Sequence, residues 1–141
     1  MKTQSVKNRS MGAVATILLT ALLCNGASAG VIRGPLTLGP DSRLKLDCPE
    51  VPTASNMVRR FVQGFGAVSS PVRFKLTYRP DLYSSPQDVN GTNQITSDYN
   101  QTLSASQGNF PGPGYYSLVV RNTNSYSITI PAGQSLGILC Q

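Results

Sequence analysis

Beyond residue 30, the chain is built from short runs in which apolar and polar residues alternate. The clearest run is VRFKLTYR at 72–79. Its Val, Phe, Leu and Tyr side chains fall on one face, and Arg73, Lys75 and Arg79 fall on the other. The run RLKLDC at 43–48 alternates in the same way. A period of two is typical of a half-buried strand, and no window keeps apolar residues at helical spacing for three turns.

The remaining segments complete an all-β pattern. We predict an edge segment at 31–38, a more polar strand at 94–103, and a terminal group at 115–121, 126–130 and 135–140. The segment 57–65 fits either a short helix or a bulged strand. With turn signals about every ten residues, these seven or eight short strands predict a single-domain β-sandwich of the jelly-roll or immunoglobulin-like kind.

The first 29 residues have the three parts of a cleavable secretory signal. Three basic residues precede an apolar run at 11–23, and the small residues Ala27-Ser28-Ala29 end the segment. The apolar run is shorter than the roughly 20 residues that a membrane-spanning helix needs. We therefore predict a signal peptide at 1–29, a domain at 30–141, and a secreted or periplasmic location.

The 112 residues that remain after removal of this signal have fewer cysteines and a lower net charge than the full chain. Cys24 leaves with the signal, and the remaining Cys48 and Cys140 are predicted to pair in an oxidising compartment. Three of the 12 Lys and Arg residues also leave, whereas all six acidic residues stay, so the formal net charge falls from +6 to +3. Such a mild charge disfavours a dedicated nucleic-acid binder.

The stretch 84–114 differs from the rest in composition, since Ser, Asn, Gln, Thr, Gly and Pro dominate it. It is either a long solvated connection or a loop surface that carries recognition. The aromatic residues in or beside it suit contacts with a sugar or a protein; they are Tyr83, Tyr99, Phe110, Tyr115 and Tyr116. Of these, Tyr99, Phe110 and Tyr115 are the candidate binding residues. Glycosylation sequons begin at Asn90 and Asn100 and would be used only in a eukaryotic source.

The composition of the chain disfavours catalytic activity. The chain has no His, which excludes Ser–His and Cys–His nucleophile systems. Asp88, Asn90, Asn93 and Asp98 supply oxygen ligands, but their spacing departs from a calcium-binding loop and fits an Asx-rich turn. We therefore predict no enzymatic activity, no metal site and no cofactor.

The most specific candidate for a binding site is the polar face of the 72–79 strand. Arg73, Lys75 and Arg79 project from one side of it and span about 20 Å. Further candidates for the same surface are Arg59, Arg60 and Arg121. Such a stripe would attract an anionic glycan, an envelope polymer, phospholipid head groups or an acidic protein. The alternative is an ordinary solvated face of a sheet.

The segment GYYSLVVRNTNSYSITI at 114–130 resembles the closing hairpin of secreted jelly-roll domains of the pre-peptidase C-terminal type. In those domains a glycine and alternating aromatic residues lead through an Asn-rich turn into a second strand. The resemblance covers 17 residues and implies a β-sandwich fold without implying a function.

Together these patterns predict a secreted, non-catalytic binding module that acts at the cell envelope or outside the cell. Its partner would be an anionic glycan, an envelope polymer or a protein, with no nucleic acid and no membrane span in the mature form. Two other classes stay open. One is a secreted inhibitor or effector that inserts the 109–114 loop (NFPGPG) into a partner enzyme, and the other is a surface filament subunit that exchanges strands.

Overall fold

A computed structural model describes residues 29–48 and 61–141, and all regular structure in these ranges is β. The strands are β1 (Ala29–Arg33), β2 (Leu36–Leu38), β3 (Arg43–Asp47), β4 (Phe61–Arg79), β5 (Gln87–Asp88), β6 (Gln94–Ser104), β7 (Tyr115–Arg121), β8 (Ile128–Ile130) and β9 (Ser135–Cys140). The signal segment up to residue 28 and the candidates Arg59 and Arg60 lie outside the described residues. Within the described ranges, no helix is long and apolar enough to cross a membrane.

Strand β4, with 19 residues, organises the fold because both of its edges are paired. One edge pairs with β6 and, further along, with β5. The other edge pairs with β9 along 62–66 and with β7 along 73–79. Strand β1 lies beyond β9, and β3 lies beyond β7. Two antiparallel branches therefore leave the same edge of one strand.

The two halves of β4 fold over each other at a bend in 68–71, where the pairing with β6 shifts register. A Cβ atom added to Gly66 would lie 2.8 Å from Cε1 of Phe74. One added to Gly64 would lie 3.0 Å from Cδ2 of Leu76. These two glycines thus make room for large side chains from the second half, so that the two branches face each other across one core.

The small sheet of β2 and β8 packs at the bend. The Ser69 hydroxyl accepts a hydrogen bond from the Thr129 N–H at 2.9 Å. The Asn124 side-chain amide donates to the Pro71 carbonyl at 3.0 Å. Backbone groups at a bend lose their regular sheet partners; the Asn124 contact pairs one of them, the Pro71 carbonyl, and the Ser69 contact pairs a backbone N–H of β8.

The outer strands of the two branches approach each other and close the structure. On β1, a Cβ atom added to Gly30 would lie 3.4 Å from the Cβ of Leu46 on β3. A disulfide between Cys48 and Cys140 joins the residue after β3 to the end of β9 across 92 residues of sequence. The predicted disulfide is confirmed, and the all-β fold is consistent with a sandwich that closes in a barrel-like way.

The interior is filled by side chains from both branches. Its fully buried members include Val62, Phe74, Leu76, Leu103, Leu118, Ile130, Leu136 and Ile138. The rings of Phe74 and Tyr99 stack with their centroids 4.7 Å apart, a contact worth about 1 kcal/mol beyond area burial. The Tyr99 hydroxyl donates to the Thr92 carbonyl at 2.7 Å. Burial raises the pKa of this hydroxyl, which keeps it protonated as a donor.

Most of the predicted strands are confirmed. Strands form within 43–48, 94–103, 115–121 and 135–140, and the ambiguous segment 57–65 is a strand from Phe61 onward. The predicted edge segment 31–38 is divided at Gly34 and Pro35 into β1 and β2. The sequence pattern did not predict that Phe61–Arg79 is one strand, because Pro71 and the serines before it read as a break.

The segment 114–130 does not form the hairpin that its resemblance implies. Strand β7 pairs with β3 and β4, whereas β8 pairs with β2. The cause is Asn122, which is 0 % exposed and whose amide donates to the carbonyls of Leu38, Gly39 and Tyr126 at 2.9–3.1 Å. These bonds tie the turn after β7 to the segment after β2, so the chain crosses to the small sheet.

The outer edge of β6 is closed by side chains. Asn109 accepts the Ser104 N–H at 2.9 Å and donates to the Thr102 carbonyl at 3.0 Å, as a neighbouring strand would do. The Thr96 hydroxyl accepts the Asp98 N–H at 3.1 Å and contacts the Asp98 carbonyl at 3.3 Å. Because an unpaired edge is a template for another chain, these contacts disfavour strand addition at β6.

We expect Gly66→Ala to lower the free energy of unfolding by roughly 1–3 kcal/mol, because the added methyl group would overlap the buried Phe74 ring. Gly39→Ala is the matched control, since nothing lies within 4 Å of a Cβ at that position. Denaturant-induced unfolding of both variants measures the difference. Equal stabilities would show that the bend tolerates a side chain at Gly66.

We expect Asn109→Ala to promote dimers or larger aggregates, because it frees the Ser104 N–H and the Thr102 carbonyl on the edge of β6. Asn109→Asp should act in the same direction, since a carboxylate accepts but cannot donate. Size-exclusion chromatography with light scattering measures the mass, and Gln87→Ala removes an exposed amide elsewhere as a control. Monomeric Asn109 variants at high concentration would contradict this role.

Candidate binding surface

The outer face of β3, β7 and β4 carries six of the seven Lys and Arg residues in the described ranges. We call it the basic face; its cations are Arg43 and Lys45 on β3, Arg121 on β7, and Arg73, Lys75 and Arg79 on β4. Inward-facing residues such as Phe74 and Leu76 alternate with them along β4. The sidedness predicted for 72–79 is therefore present, and two further strands extend it.

The pairing register aligns three arginines across these three strands. Arg43 lies opposite Arg121, and Arg121 lies opposite Arg73. Adjacent strands are about 4.8 Å apart, so the three backbone positions lie within about 10 Å. Lys45 and Lys75 occupy the outer positions of the next row on the same face. Like charges placed opposite each other destabilise a sheet, so this arrangement costs stability in the absence of an anion.

Acidic residues offset only part of this charge. The ion pairs on the face are Lys75–Asp88 at 2.9 Å, Lys45–Asp47 at 3.1 Å and Arg121–Asp41 at 3.8 Å. Exposed pairs of this kind contribute about 1 kcal/mol or less. Among the described residues, no ion pair involves Arg43, Arg73 or Arg79, and Arg73 donates to the neutral Asn93 side chain at 2.7 Å.

One of the predicted aromatic contacts joins the basic face. The guanidinium carbon of Arg79 lies 5.5 Å from the centre of the Tyr115 ring, within cation–π distance. Tyr115 is opposite Arg79 in the pairing of β7 with β4, so both side chains leave the same side of the sheet. The structure therefore brings Arg73, Lys75, Arg79 and Tyr115 together.

The other two aromatic candidates lie in the packed body of the protein. Tyr99 is 1 % exposed, and its position opposite Gly66 turns its ring into the core. Phe110 is partly buried and stacks on Tyr116 with ring centroids 5.6 Å apart. The expectation that Tyr99 contacts a partner is corrected, because β6 is a strand whose alternation places this ring inward.

A turn after β4 presents Leu82, which the sequence pattern did not single out, and Tyr83, one of the aromatic residues beside the polar stretch. The Asp81 carboxylate accepts the N–H groups of Tyr83 and Ser84 at 2.8 Å and the Ser84 hydroxyl at 3.0 Å. Arg79 donates to the Leu82 carbonyl at 3.3 Å. In this framework Leu82 is 56 % exposed and Tyr83 is 98 % exposed. The sequence signals were Asp81 in a turn-forming context and Tyr83 beside the polar stretch.

The 109–114 segment, the candidate inhibitory loop, is fastened to the body of the protein. Besides the Asn109 contacts with β6, the Tyr78 hydroxyl donates to the Pro113 carbonyl at 2.9 Å, and the Tyr116 hydroxyl donates to the Gly112 carbonyl. A shallow cleft of about 400 Å³ lies between 108–111 and 87–90. The loop is therefore held in place, and the cleft beside it has a mixed polar and apolar lining.

The side chains of the basic face have the chemistry that contacts with anions require. Guanidinium groups contact carboxylate, phosphate or sulfate oxygens through paired, charge-assisted hydrogen bonds. Comparison with protein-family models, with curated proteins and with solved structures found no match for this chain. The functional interpretation therefore depends on the geometry of the basic face.

We expect the 81–84 turn to loosen only under strongly acidic conditions. The Tyr83 N–H and the Ser84 hydroxyl lower the pKa of the Asp81 carboxyl, so the turn's bonds are intact at neutral pH. They are lost as the pH falls below the ordinary Asp value of about 3.9 and through the lowered pKa. NMR titration of the Tyr83 and Ser84 amides measures the midpoint. The titration should vanish in Asp81→Asn, and a midpoint above the ordinary value would contradict the assignment.

Proposed function

We propose that this protein is an exported, non-catalytic binding module whose basic face binds an anionic partner at the cell envelope or in the extracellular medium. The partner is a polymer or surface that carries carboxylate, phosphate or sulfate groups, such as an anionic glycan or envelope polymer. The observation that carries the proposal is the aligned row of Arg43, Arg121 and Arg73.

The row supports binding because its electrostatic repulsion lowers the stability of the fold, and a bound anion would remove that repulsion. Three guanidinium groups on adjacent strands repel one another, and the fold gains nothing from their alignment. An anionic group placed over the row turns this repulsion into attraction and gives each guanidinium a charge-assisted hydrogen bond. Asp41 contacts only Arg121 in this row, so Arg43 and Arg73 keep charges that no acidic residue among the described residues pairs with.

The arginines and the lysines are expected to contribute differently. Lys45 and Lys75 already pair with Asp47 and Asp88, so an incoming anion must compete with these carboxylates. Arg43 and Arg73 make no ion pair among the described residues. Arg43 and Arg73 should therefore supply most of the contact energy, while Arg121 and the lysines, which have acidic partners, add to the long-range attraction.

Two observations favour a location outside the cytoplasm. The pattern of 1–29 is that of a secretory signal. The Cys48–Cys140 disulfide is of the kind that persists in oxidising compartments. Both are compatible with an anionic partner in the envelope or beyond it.

The test replaces Arg43, Arg73 and Arg121 together with Gln, which keeps polar side chains and removes three charges. At about 1 kcal/mol for each basic residue near an anionic surface, binding to a heparin oligosaccharide at low salt should weaken by roughly a hundredfold. Binding by the unmodified protein should fall as salt is added. Isothermal titration calorimetry measures both.

Arg33→Gln is the matched control, since it removes one charge from β1 without touching the row. Thermal unfolding of each variant checks that the fold is intact, and neutral dextran checks that charge is recognised. Unchanged heparin affinity in the triple variant, or binding that is insensitive to salt, would contradict the proposed function.

A further inference from the structure

Exposed apolar side chains border the basic face at both ends of β4's second half. Ile95 on β6 lies opposite Arg73 in register, so it leaves the same side of the sheet, and it is 56 % exposed. Leu82 and Tyr83 follow Arg79 at the other end. Each of these residues is separate from the buried core. The basic face therefore combines fixed positive charge with apolar groups at its margins.

The turn that carries Leu82 and Tyr83 is ordered before any partner arrives. Asp81 holds the backbone of Tyr83, and Arg79 holds the carbonyl of Leu82. Since Arg79 also lies over Tyr115 on the basic face, the turn is anchored to that face. An apolar pair presented on a rigid turn loses little conformational freedom when it is buried.

We infer that the anionic partner of the basic face is a lipid surface, with the Leu82–Tyr83 turn inserted into it and the arginine row in contact with lipid phosphates. This inference rests on the proposed function and narrows its partner from any anionic polymer to an anionic lipid layer.

A lipid layer is favoured because it offers both chemistries at once. A soluble polyanion supplies charge but leaves Leu82 and Tyr83 in water. A bilayer places phosphate groups directly above an apolar region, so one contact satisfies the arginines and buries the turn. Tyrosine suits this boundary, since its ring is apolar and its hydroxyl stays with the head groups.

The test uses the absence of Trp from the chain. Tyr83→Trp introduces a single tryptophan at the tip of the turn, where the side chain is 98 % exposed, and its emission can be excited apart from that of the tyrosines. Its emission should shift to shorter wavelength with vesicles of phosphatidylcholine and phosphatidylglycerol, and not with phosphatidylcholine alone or with heparin. Leu139→Trp, on β9 and away from the basic face, should show no shift.

Vesicle co-sedimentation supplies the second measurement. The Leu82→Ser, Tyr83→Ser double variant should lose roughly tenfold or more in affinity for anionic vesicles, from the apolar area it no longer buries. The same variant should keep its affinity for heparin. Leu139→Ser is the matched control and should bind vesicles normally.

The outcomes separate the two proposals. An unshifted Tyr83→Trp spectrum, together with unchanged vesicle affinity of the double variant, overturns the lipid inference. If heparin binding through the arginine row persists in that case, the proposed function stands. If the unmodified protein binds neither heparin nor anionic vesicles, both proposals fail.

Discussion

The close approach of the two halves of β4 is the constraint on which the rest of the structure depends. Gly64 and Gly66 leave the space that Leu76 and Phe74 fill, so one strand lines both layers of the same core. Its 19 residues far exceed the usual five or six of a strand, and only the bend allows it to stay in a small domain. Ser69 and Pro71 then bond to the β8 side of the molecule and hold that bend.

The position of the charges follows from this packing. Once Phe74 and Leu76 are committed to the core, the residues between them must face outward, and β7 and β3 join this half of β4 in a register that repeats the pattern. The disulfide ties the far ends of the two branches together. Closing a loop of 92 residues stabilises the fold by about 4–5 kcal/mol in the chain-entropy model. This stabilisation offsets the electrostatic repulsion within the arginine row.

Two asparagine side chains, the buried Asn122 and the exposed Asn109, decide which surfaces are open to a partner. Asn122 turns the chain from β7 to the small sheet, and Asn109 acts as a substitute strand along β6. Side chains occupy parts of that edge, whereas the basic face and the turn beside it carry charge and apolar groups that the described chain leaves exposed. The proposed binding function uses the basic face, and the lipid inference adds the turn.

The sequence by itself determined the all-β class, the sidedness of 72–79 and the Cys48–Cys140 pair, because alternation and cysteine count are local or countable properties. Only the tertiary structure decided that Arg43, Arg73 and Arg121 lie in one row, that Tyr99 is buried, and that β7 and β8 are not a hairpin. A period of two reports which face of a strand is buried, but not which strand lies beside it. Register and partner choice come from the bend of β4 and from the buried amide of Asn122, whose effects connect residues far apart in the chain.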